Sequence, residues 1–390
     1  MVKSVEKALI VCTPGMEKEL LAELKEVWPY LLSPQAQTQS EALPEIVVIR
    51  GGIEIPCDFF RAVQFNFFMK TATRVLWRIS EFKCRDLNKL YDNLKRVPWG
   101  QWLKTSDIEW HVSASGTRMN HQKRIKEIAN KVISECKMPA GQAPIDIYFR
   151  NHDDIITISL DLSGEALYKR SLQKKVGEAP FRESWAHFVL RRMMKGHSGS
   201  ELASIHLVDP FMGSGTFLLE AATLRAPNFA RAFAFQTLVQ APKLFKSATF
   251  SLNYKWSSHP TFGDLYGFDS DPEMVRLTKE NFDIDQTQFR LKQEELKISQ
   301  GDAFKPEKPV PPPVWLVANP PWGTRLAQNR EFDELATSLV KAWKPAKMAL
   351  VVPTKSLNPG CISKTYKLSE NISLILGGQT VDLLIFQCKE

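Results

Sequence analysis

The sequence predicts an α/β protein in two parts, because the order of its apolar segments changes near the middle of the chain. Up to about residue 165, strand-like and helix-like segments interleave irregularly, which is typical of an α+β domain. From about Ala179 onward, apolar runs alternate with helical segments, and each run has a polar residue at its carboxyl end. This second pattern predicts a parallel sheet with helices on both faces. The 390 residues also exceed the usual size of one core.

The first part is expected to begin with a strand, a Pro-Gly turn and an amphipathic helix. Leu20, Leu24 and Val27 fall on one face of that helix. Strands are predicted at 8–12, 45–50, 73–82, 108–116, 145–150 and 155–164, and helices at 16–27, 57–67, 86–97 and 121–136. This half carries no obvious catalytic constellation.

The second part alternates more regularly and ends in a hairpin. Paired glycines at 377–378 separate two apolar runs, a pattern that favours a tight turn. The Pro-rich stretch 305–314 is interpreted as a stiff loop. Strands are predicted at 205–209, 265–269, 296–302, 314–318, 348–353, 373–376 and 381–387, with helices after most of the earlier ones.

Composition limits the class of protein. Hydrophobic residues make up 44% and charged residues 24%, as in soluble folded proteins, so disordered, collagen-like and membrane architectures are not expected. The apolar run at the amino terminus is too short for a signal peptide, which predicts a cytoplasmic protein. Six scattered cysteines indicate neither a metal site nor a disulfide framework, and we expect buried reduced thiols.

The net charge of +8 points to an acidic partner. Between Glu165 and Lys195 there are eight basic residues and three acidic ones, so this segment is either a solvated linker and helix face or a phosphate-contacting surface. The same two readings apply to a basic group on or near the helix predicted at 121–136. Its members are Arg118, Lys123, Arg124 and Lys126.

A glycine-rich turn, DPFMGSGT at 209–216, joins the first strand of the second part to its helix. Gly213 and Gly215 would allow the backbone close to a ligand, and the amide groups that begin the helix offer positive partial charge. The pattern is not the dinucleotide fingerprint, because Leu218 stands where the third glycine would be, and there is no Walker lysine.

Polar residues also close the next three strands. Asp269 could accept hydrogen bonds from both ribose hydroxyls of a nucleoside, and Asp302 could accept one from an adenine amino group. Either acid could instead be an ordinary loop or helix-capping residue. Asn319 ends the following strand and precedes two prolines and Trp322, which make a stiff turn. Because the carboxyl ends of parallel strands meet at one edge of a sheet, these groups predict a ligand site there.

These residues resemble the class I S-adenosylmethionine-dependent methyltransferases. DPFMGSGT is similar to their glycine-rich first motif, and Asn319-Pro320-Pro321-Trp322 is similar to their amino-methylating NPP[YFW] motif. The resemblance implies S-adenosylmethionine (SAM) as the cofactor and a Rossmann-like, seven-stranded domain. The cofactor-binding residues it implies are Asp209, Pro210, Gly213, Ser214, Gly215, Thr216, Asp269, Ser270, Asp302, Ala303 and Asn319.

A narrower resemblance covers nearly the whole chain. GEALYKR…GEAPFRESWA, followed by the two motifs, is similar to the bacterial RlmL-type (UPF0020-like) 23S rRNA guanine-N2 methyltransferases. The similarity implies a ferredoxin-like segment at 1–56, a THUMP RNA-binding domain at 57–165 and a SAM-dependent methyltransferase domain at 166–390. The implied partner is RNA, most simply 23S rRNA or a ribosomal precursor, with no metal and no membrane.

The implied catalytic residues are Asn319, Pro320, Pro321 and Trp322. The side-chain oxygen of Asn319 and the carbonyl of Pro320 would accept hydrogen bonds from the exocyclic amine, and Trp322 would stack on the base. Candidate RNA contacts are Arg118, Lys123, Arg124, Lys169, Arg170 and Arg325.

Two departures from the family pattern stand out. Trp322 replaces the tyrosine of many members, and the chain ends near Glu390, so we expect no second methyltransferase domain of the kind fused in some relatives. The NPPW motif alone is shared with adenine-N6 and protein-glutamine methyltransferases, and the alternative within the same class is a tRNA guanine-N2 or an adenine-N6 methyltransferase. A non-catalytic RNA-binding assembly factor is the alternative from a different class.

Overall fold

The computed structural model describes residues 6–32, 42–141, 144–170, 174–175, 181–228, 231–241, 262–289, 296–307, 309–321 and 329–389. The chain divides into two compact units. Unit 1 comprises Met1–Tyr168 and Arg231–Tyr254, and unit 2 comprises Lys169–Ala230 and Lys255–Glu390.

Unit 1 is organised around one sheet. Its strands are β1 (Lys7–Val11), β2 (Val47–Ile49), β3 (Gly52–Pro56), β4 (Arg74–Lys83), β5 (Ile108–Ser115), β6 (Ile145–His152) and β7 (Ile155–Asp161). They form a seven-stranded sheet in the order β2-β3-β1-β4-β7-β6-β5, in which only the β5–β6 pair is parallel. One continuous sheet therefore spans the segments that the resemblance assigns to a ferredoxin-like unit and a THUMP domain.

The helices of unit 1 bury their apolar faces. They are α1 (Glu17–Val27), α2 (Phe59–Phe68), α3 (Leu87–Lys95), α4 (Trp99–Trp102) and α5 (Gln122–Glu135). Leu20, Leu24 and Val27 of α1 are fully buried, as their spacing predicts. Asp58 begins α2 by accepting a hydrogen bond from the Arg61 amide at 2.8 Å.

Two expectations for the first part need correction. The single strand predicted at 45–50 is the first arm of a hairpin, because Gly51, at φ +81°, turns the chain directly into β3. The cysteines are not uniformly buried: Cys12 and Cys84 are buried, whereas Cys136 and Cys361 are exposed.

Unit 2 has the alternating pattern that its sequence predicts. Its strands are β8 (His206–Asp209), β9 (Leu265–Asp269), β10 (Leu296–Gln300), β11 (Val314–Ala318), β12 (Lys347–Pro353), β13 (Tyr366–Leu376) and β14 (Gln379–Cys388). Its helices are α6 (Glu183–Met194), α7 (Gly199–Leu202), α8 (Thr216–Ala222), α9 (Pro272–Phe289) and α10 (Asn329–Trp343).

The sheet of unit 2 has seven strands in the order β10-β9-β8-β11-β12-β14-β13, so the predicted seven-stranded α/β domain is confirmed. The strands β8 to β12 are parallel, and β14 pairs antiparallel with both β12 and β13, as the predicted hairpin requires. All of β11 is buried, which explains its unbroken apolar run. The order of the strands reverses between β8 and β11, where open α/β sheets bind ligands.

The segment that follows α8 returns to unit 1. The guanidinium of Arg231 donates hydrogen bonds to the backbone carbonyls of Ser163, Glu165 and Ala166, at 3.3, 2.6 and 2.8 Å. The amide of Phe235 donates to the Leu162 carbonyl at 3.1 Å. Residues 231–241 are thus part of the structure of unit 1, although they lie between the strands β8 and β9 in the sequence.

Within the described part of the chain, no helix has the length and apolar character needed to cross a bilayer.

Gly215 provides a test of how unit 2 packs. Its φ is +81°, and a Cβ at this position would lie 2.5 Å from the Cγ2 atom of Thr278 on α9. We expect Gly215→Ala to lower the free energy of unfolding by about 1–3 kcal/mol, through left-handed strain and overpacking. Urea unfolding measures this change. Gly100→Ala is the control, because a Cβ at Gly100 meets nothing within 4 Å; equal stability of the two variants would contradict the packing argument.

Candidate functional site

The glycine-rich turn after β8 is held by backbone hydrogen bonds. The Gly215 amide donates to the Met212 carbonyl at 2.8 Å, and the Met212 amide donates to the Phe268 carbonyl of β9 at 3.1 Å. The hydroxyl of Thr278 donates to the Gly213 carbonyl at 2.7 Å. These bonds place the turn between the carboxyl ends of two neighbouring strands.

Asp269 at the end of β9 faces this turn. Its Oδ2 atom accepts a hydrogen bond from the Gly213 amide at 3.0 Å, and its Oδ1 atom accepts one from the Asp271 amide at 3.0 Å. A carboxylate has about four acceptor positions, so Asp269 keeps acceptor capacity for a ligand after making these two bonds.

Asp302 follows β10 and is exposed. Its Oδ1 atom accepts a hydrogen bond from the Phe304 amide at 2.8 Å. The neighbouring Ala303 is buried, and its carbonyl accepts a hydrogen bond from the Trp343 indole at 2.7 Å. The hydrogen bond from Trp343 therefore holds the backbone at 302–304 on its buried side, while the Asp302 side chain faces solvent.

Asn319 lies directly after β11, next to Asp209 in strand order. Its side-chain oxygen is buried and has no hydrogen-bond partner among the described residues. A buried acceptor without a partner costs about 1–3 kcal/mol, so such a group points to a ligand that supplies a donor. Pro320 is buried and Pro321 is exposed. Trp322 and Arg325 lie outside the described residues.

One cavity of about 840 Å³ connects these strand ends. Of the sequence-predicted residues that the structure describes, it is lined by Asp209, Pro210, Gly213, Ser214, Thr216, Asp269, Ser270, Asp302, Ala303, Asn319, Pro320 and Pro321. Gly215 does not line the cavity, and its side toward Thr278 is closed.

The remaining lining residues were not predicted from the sequence. Most are apolar: Phe181, Phe211, Met212, Phe217, Met274 and Phe304. Phe211 and Met212 lie inside the glycine-rich motif, in which only the glycines have an evident role in ligand binding from the sequence alone. Leu376, Gly377 and Gln379 belong to the turn of the β13–β14 hairpin, and only the register of the sheet brings this distant turn to the cavity.

Four acidic side chains line the cavity: Asp209, Asp269, Asp271 and Asp302. Burial raises the pKa of the Asp209 carboxyl to about 8; the bond from the Phe211 amide opposes the shift, and the charge of Asp269 adds to it. A site with this charge favours a cationic or hydroxyl-rich ligand. No group of three or more His, Cys, Asp or Glu side chains suited to a metal ion occurs in the described ranges.

The candidate RNA-contacting residues lie in different environments. Arg118, Lys123 and Arg124 are exposed in unit 1, and Lys169 is exposed at the start of unit 2. Arg170 is only 5% exposed. Its guanidinium pairs with the buried Glu220 at 3.0 Å, so the structure argues against an RNA contact for this residue.

The sheet order, the glycine-rich turn and the acids at the strand ends define the class I methyltransferase fold. Two solved structures share it over nearly their whole length: a possible methylase from Clostridium difficile 630 (TM-score 0.76, 23% identity, covering 99% of this chain and 98% of that one) and SMU.472, solved with SAH (TM-score 0.75, 20% identity, 100% and 99%). Residues 172–367 match the UPF0020 model, the RMKL-like methyltransferase domain, and the chain belongs to this family.

Curated relatives carry the name ribosomal RNA large subunit methyltransferase K/L. The protein of Alteromonas mediterranea is 26% identical over 369 residues, which cover 90% of this chain and 49% of the relative. That of Shewanella frigidimarina is 27% identical over 356 residues, covering 85% and 45%. The chain thus spans about half the length of the curated relatives it matches.

The raised pKa of Asp209 predicts a pH dependence of stability. Between its unfolded pKa of about 3.9 and its folded pKa of about 8, the folded state holds one more proton, so the free energy of unfolding falls as pH rises. Asp209→Asn removes this contribution. From pH 5 to pH 7, we expect the free energy of unfolding of the wild type to fall by up to about 1.4 kcal/mol per pH unit more than that of Asp209→Asn. Urea unfolding at each pH measures both values.

Asp302→Asn, at the same edge of the sheet, controls for the change in net charge. Parallel curves of stability against pH for the wild type and Asp209→Asn would contradict the role of burial at Asp209.

Proposed function

We propose that this chain is a SAM-dependent methyltransferase that modifies the exocyclic N2 amine of a guanine in 23S rRNA. The observation that carries the proposal is the buried oxygen of Asn319, which has no partner among the described residues and lines the same cavity as Asp269 and Asp302. Membership of the RMKL-like family supports methyl transfer. The names of the curated relatives support rRNA as the substrate and, with it, a cytoplasmic location.

The residues of the cavity fit SAM. Asp269 retains acceptor positions for ribose hydroxyls, and Asp302 and Ala303 lie at the neighbouring strand end, where an adenine would be held. The acidic lining suits a sulfonium, and the apolar side chains suit the flat adenine ring. When bound, SAM supplies an electrophilic methyl group.

Asn319 and Pro320 would act on the acceptor. The amine of guanine is a weak nucleophile because its lone pair is delocalised into the ring. Two carbonyl oxygens, one from the Asn319 side chain and one from the Pro320 backbone, would accept its two hydrogens, orient it and stabilise the positive charge that develops on nitrogen. The methylated amine then loses its proton to water, so no base of unusual pKa is needed.

The rest of the chain would bring the base to the cavity. A target in a helix must leave it to enter such a pocket. Trp322 would stack on the base, a contact usually worth about 1–3 kcal/mol. Unit 1, with exposed Arg118, Lys123 and Arg124, would hold the RNA through phosphate contacts, and Arg325 would contact the acceptor strand.

Mass spectrometry of nucleosides tests the proposal directly. Unmodified 23S rRNA transcript, incubated with the protein and isotope-labelled SAM, should yield labelled N2-methylguanosine. Parallel reactions with tRNA transcripts distinguish the alternatives: N6-methyladenosine, or product in tRNA alone, would overturn the assignment. Absence of any labelled nucleoside would favour a non-catalytic assembly factor.

Asn319→Ala should strongly reduce methyl transfer, because it removes the buried acceptor oxygen that lines the cavity. Loss of one such electrostatic contact costs roughly 100-fold to 1,000-fold in kcat. RNA affinity measured by filter binding should change little. Asn371→Ala, an exposed asparagine on β13, is the matched control; turnover by Asn319→Ala equal to that of the control would remove Asn319 from the mechanism.

A further inference from the structure

The β13–β14 hairpin extends past the carboxyl edge of the parallel strands. β12 ends at Pro353, whose partner on β14 is Val381. The hairpin residues from Leu376 to Gln379 therefore lie beyond the end of β12. Leu376, Gly377 and Gln379 line the cavity that holds the strand-end acids.

The tip of this hairpin has a fixed shape. Gly377 and Gly378 both have positive φ, +56° and +87°, which is the geometry of a two-residue type I′ turn. Leu376 and Gln379 are the directly paired residues that flank the turn. The position of Gln379 is thus set by the register of the sheet.

A buried carboxylate joins the hairpin to the end of β12. Asp382 is 7% exposed and accepts hydrogen bonds from the Ser373 hydroxyl at 2.6 Å, the Lys355 amide at 3.0 Å and the Thr354 hydroxyl at 3.3 Å. These bonds connect both hairpin strands with the chain that follows β12. The tip is therefore a part of the cavity wall that these hydrogen bonds hold in place.

Strand order places this wall on the acceptor side. Asp302 and Asp269 follow β10 and β9, at one end of the sheet, whereas Asn319 follows β11 and the hairpin lies beyond β12. Gln379 is exposed and lines the cavity. Its carboxamide therefore presents an N–H donor group and an acceptor oxygen on the Asn319 side of the cavity.

We propose that Gln379 selects the acceptor base, an inference that rests on the proposed function. Beside its N2 amine, guanine presents an N1–H donor and an O6 acceptor. The Gln379 oxygen would accept the N1–H, and its amide nitrogen would donate to O6, so both groups of the carboxamide pair with guanine. An adenine whose N6 amine took the place of the guanine N2 amine would present an acceptor at N1 and only a C–H group beyond it, so it would pair with the amide nitrogen of Gln379 alone.

Substitution in both the protein and the base tests this assignment. The substrates are two synthetic RNA oligonucleotides around the mapped target, one with guanine and one with 2-aminopurine, which keeps the N2 amine but lacks O6 and the N1 hydrogen. The wild type should prefer guanine in kcat/KM by roughly tenfold to a hundredfold, as expected for a two-bond contact to a base.

Gln379→Ala should lose most of this preference by slowing the guanine reaction alone, with unchanged SAM affinity by calorimetry. Gln379→Glu, which retains an acceptor but not the amide donor, should also lose it. Asn371→Ala, on the same hairpin away from the tip, should keep it.

A preserved preference in Gln379→Ala, or an equal loss on both bases, would overturn the role of Gln379 while leaving the proposed function intact. Failure of the wild type to methylate the guanine oligonucleotide would overturn the proposed function and this inference together.

Discussion

The hydrogen bond from the Gly213 amide to the Asp269 carboxylate joins two strand ends, and the geometry of the cavity depends on it. It holds the glycine-rich turn after β8 against the end of β9, while Thr278 fixes the same turn through the Gly213 carbonyl. The turn accommodates both contacts because Gly215 adopts a left-handed backbone conformation that residues with a side chain rarely adopt. Asp269 is therefore a structural residue of the turn as well as the proposed ribose ligand.

The backbone next to Asn319 also helps to explain why its buried side-chain oxygen has no hydrogen-bond partner among the described residues. A strand end in a parallel sheet normally offers amide donors to nearby side chains, but Pro320 and Pro321 have none. The chain thus lacks the nearest donors that could satisfy this oxygen internally. An acceptor left in this state is costly for folding and useful for binding, which is the usual compromise at a functional site.

Much of this arrangement could be predicted from local sequence. Strand ends such as Asp269 and Asn319 are identifiable because an apolar run stops at a polar residue, and parallel strands share their carboxyl edge. The burial of Arg170 could not be predicted, because its partner Glu220 lies fifty residues away on α8. The hairpin tip was predicted as a turn, but its position at the cavity could not be predicted. That position depends on the pairing of β14 with β12.

The strand order separates two tasks within one cavity. The ends of β8, β9 and β10 carry the glycine-rich turn and the acids, which suit a cofactor, whereas the ends of β11 and the hairpin carry neutral carbonyl and amide groups, which suit a base. A neutral acceptor side has a physical advantage. A carboxylate beside the base would favour protonation of the base, whereas a carboxamide orients the base without changing its protonation. The reversal of strand order between β8 and β11 brings these two environments together, so a methyl donor and its acceptor would meet at the one point where both sets of strand ends are in reach.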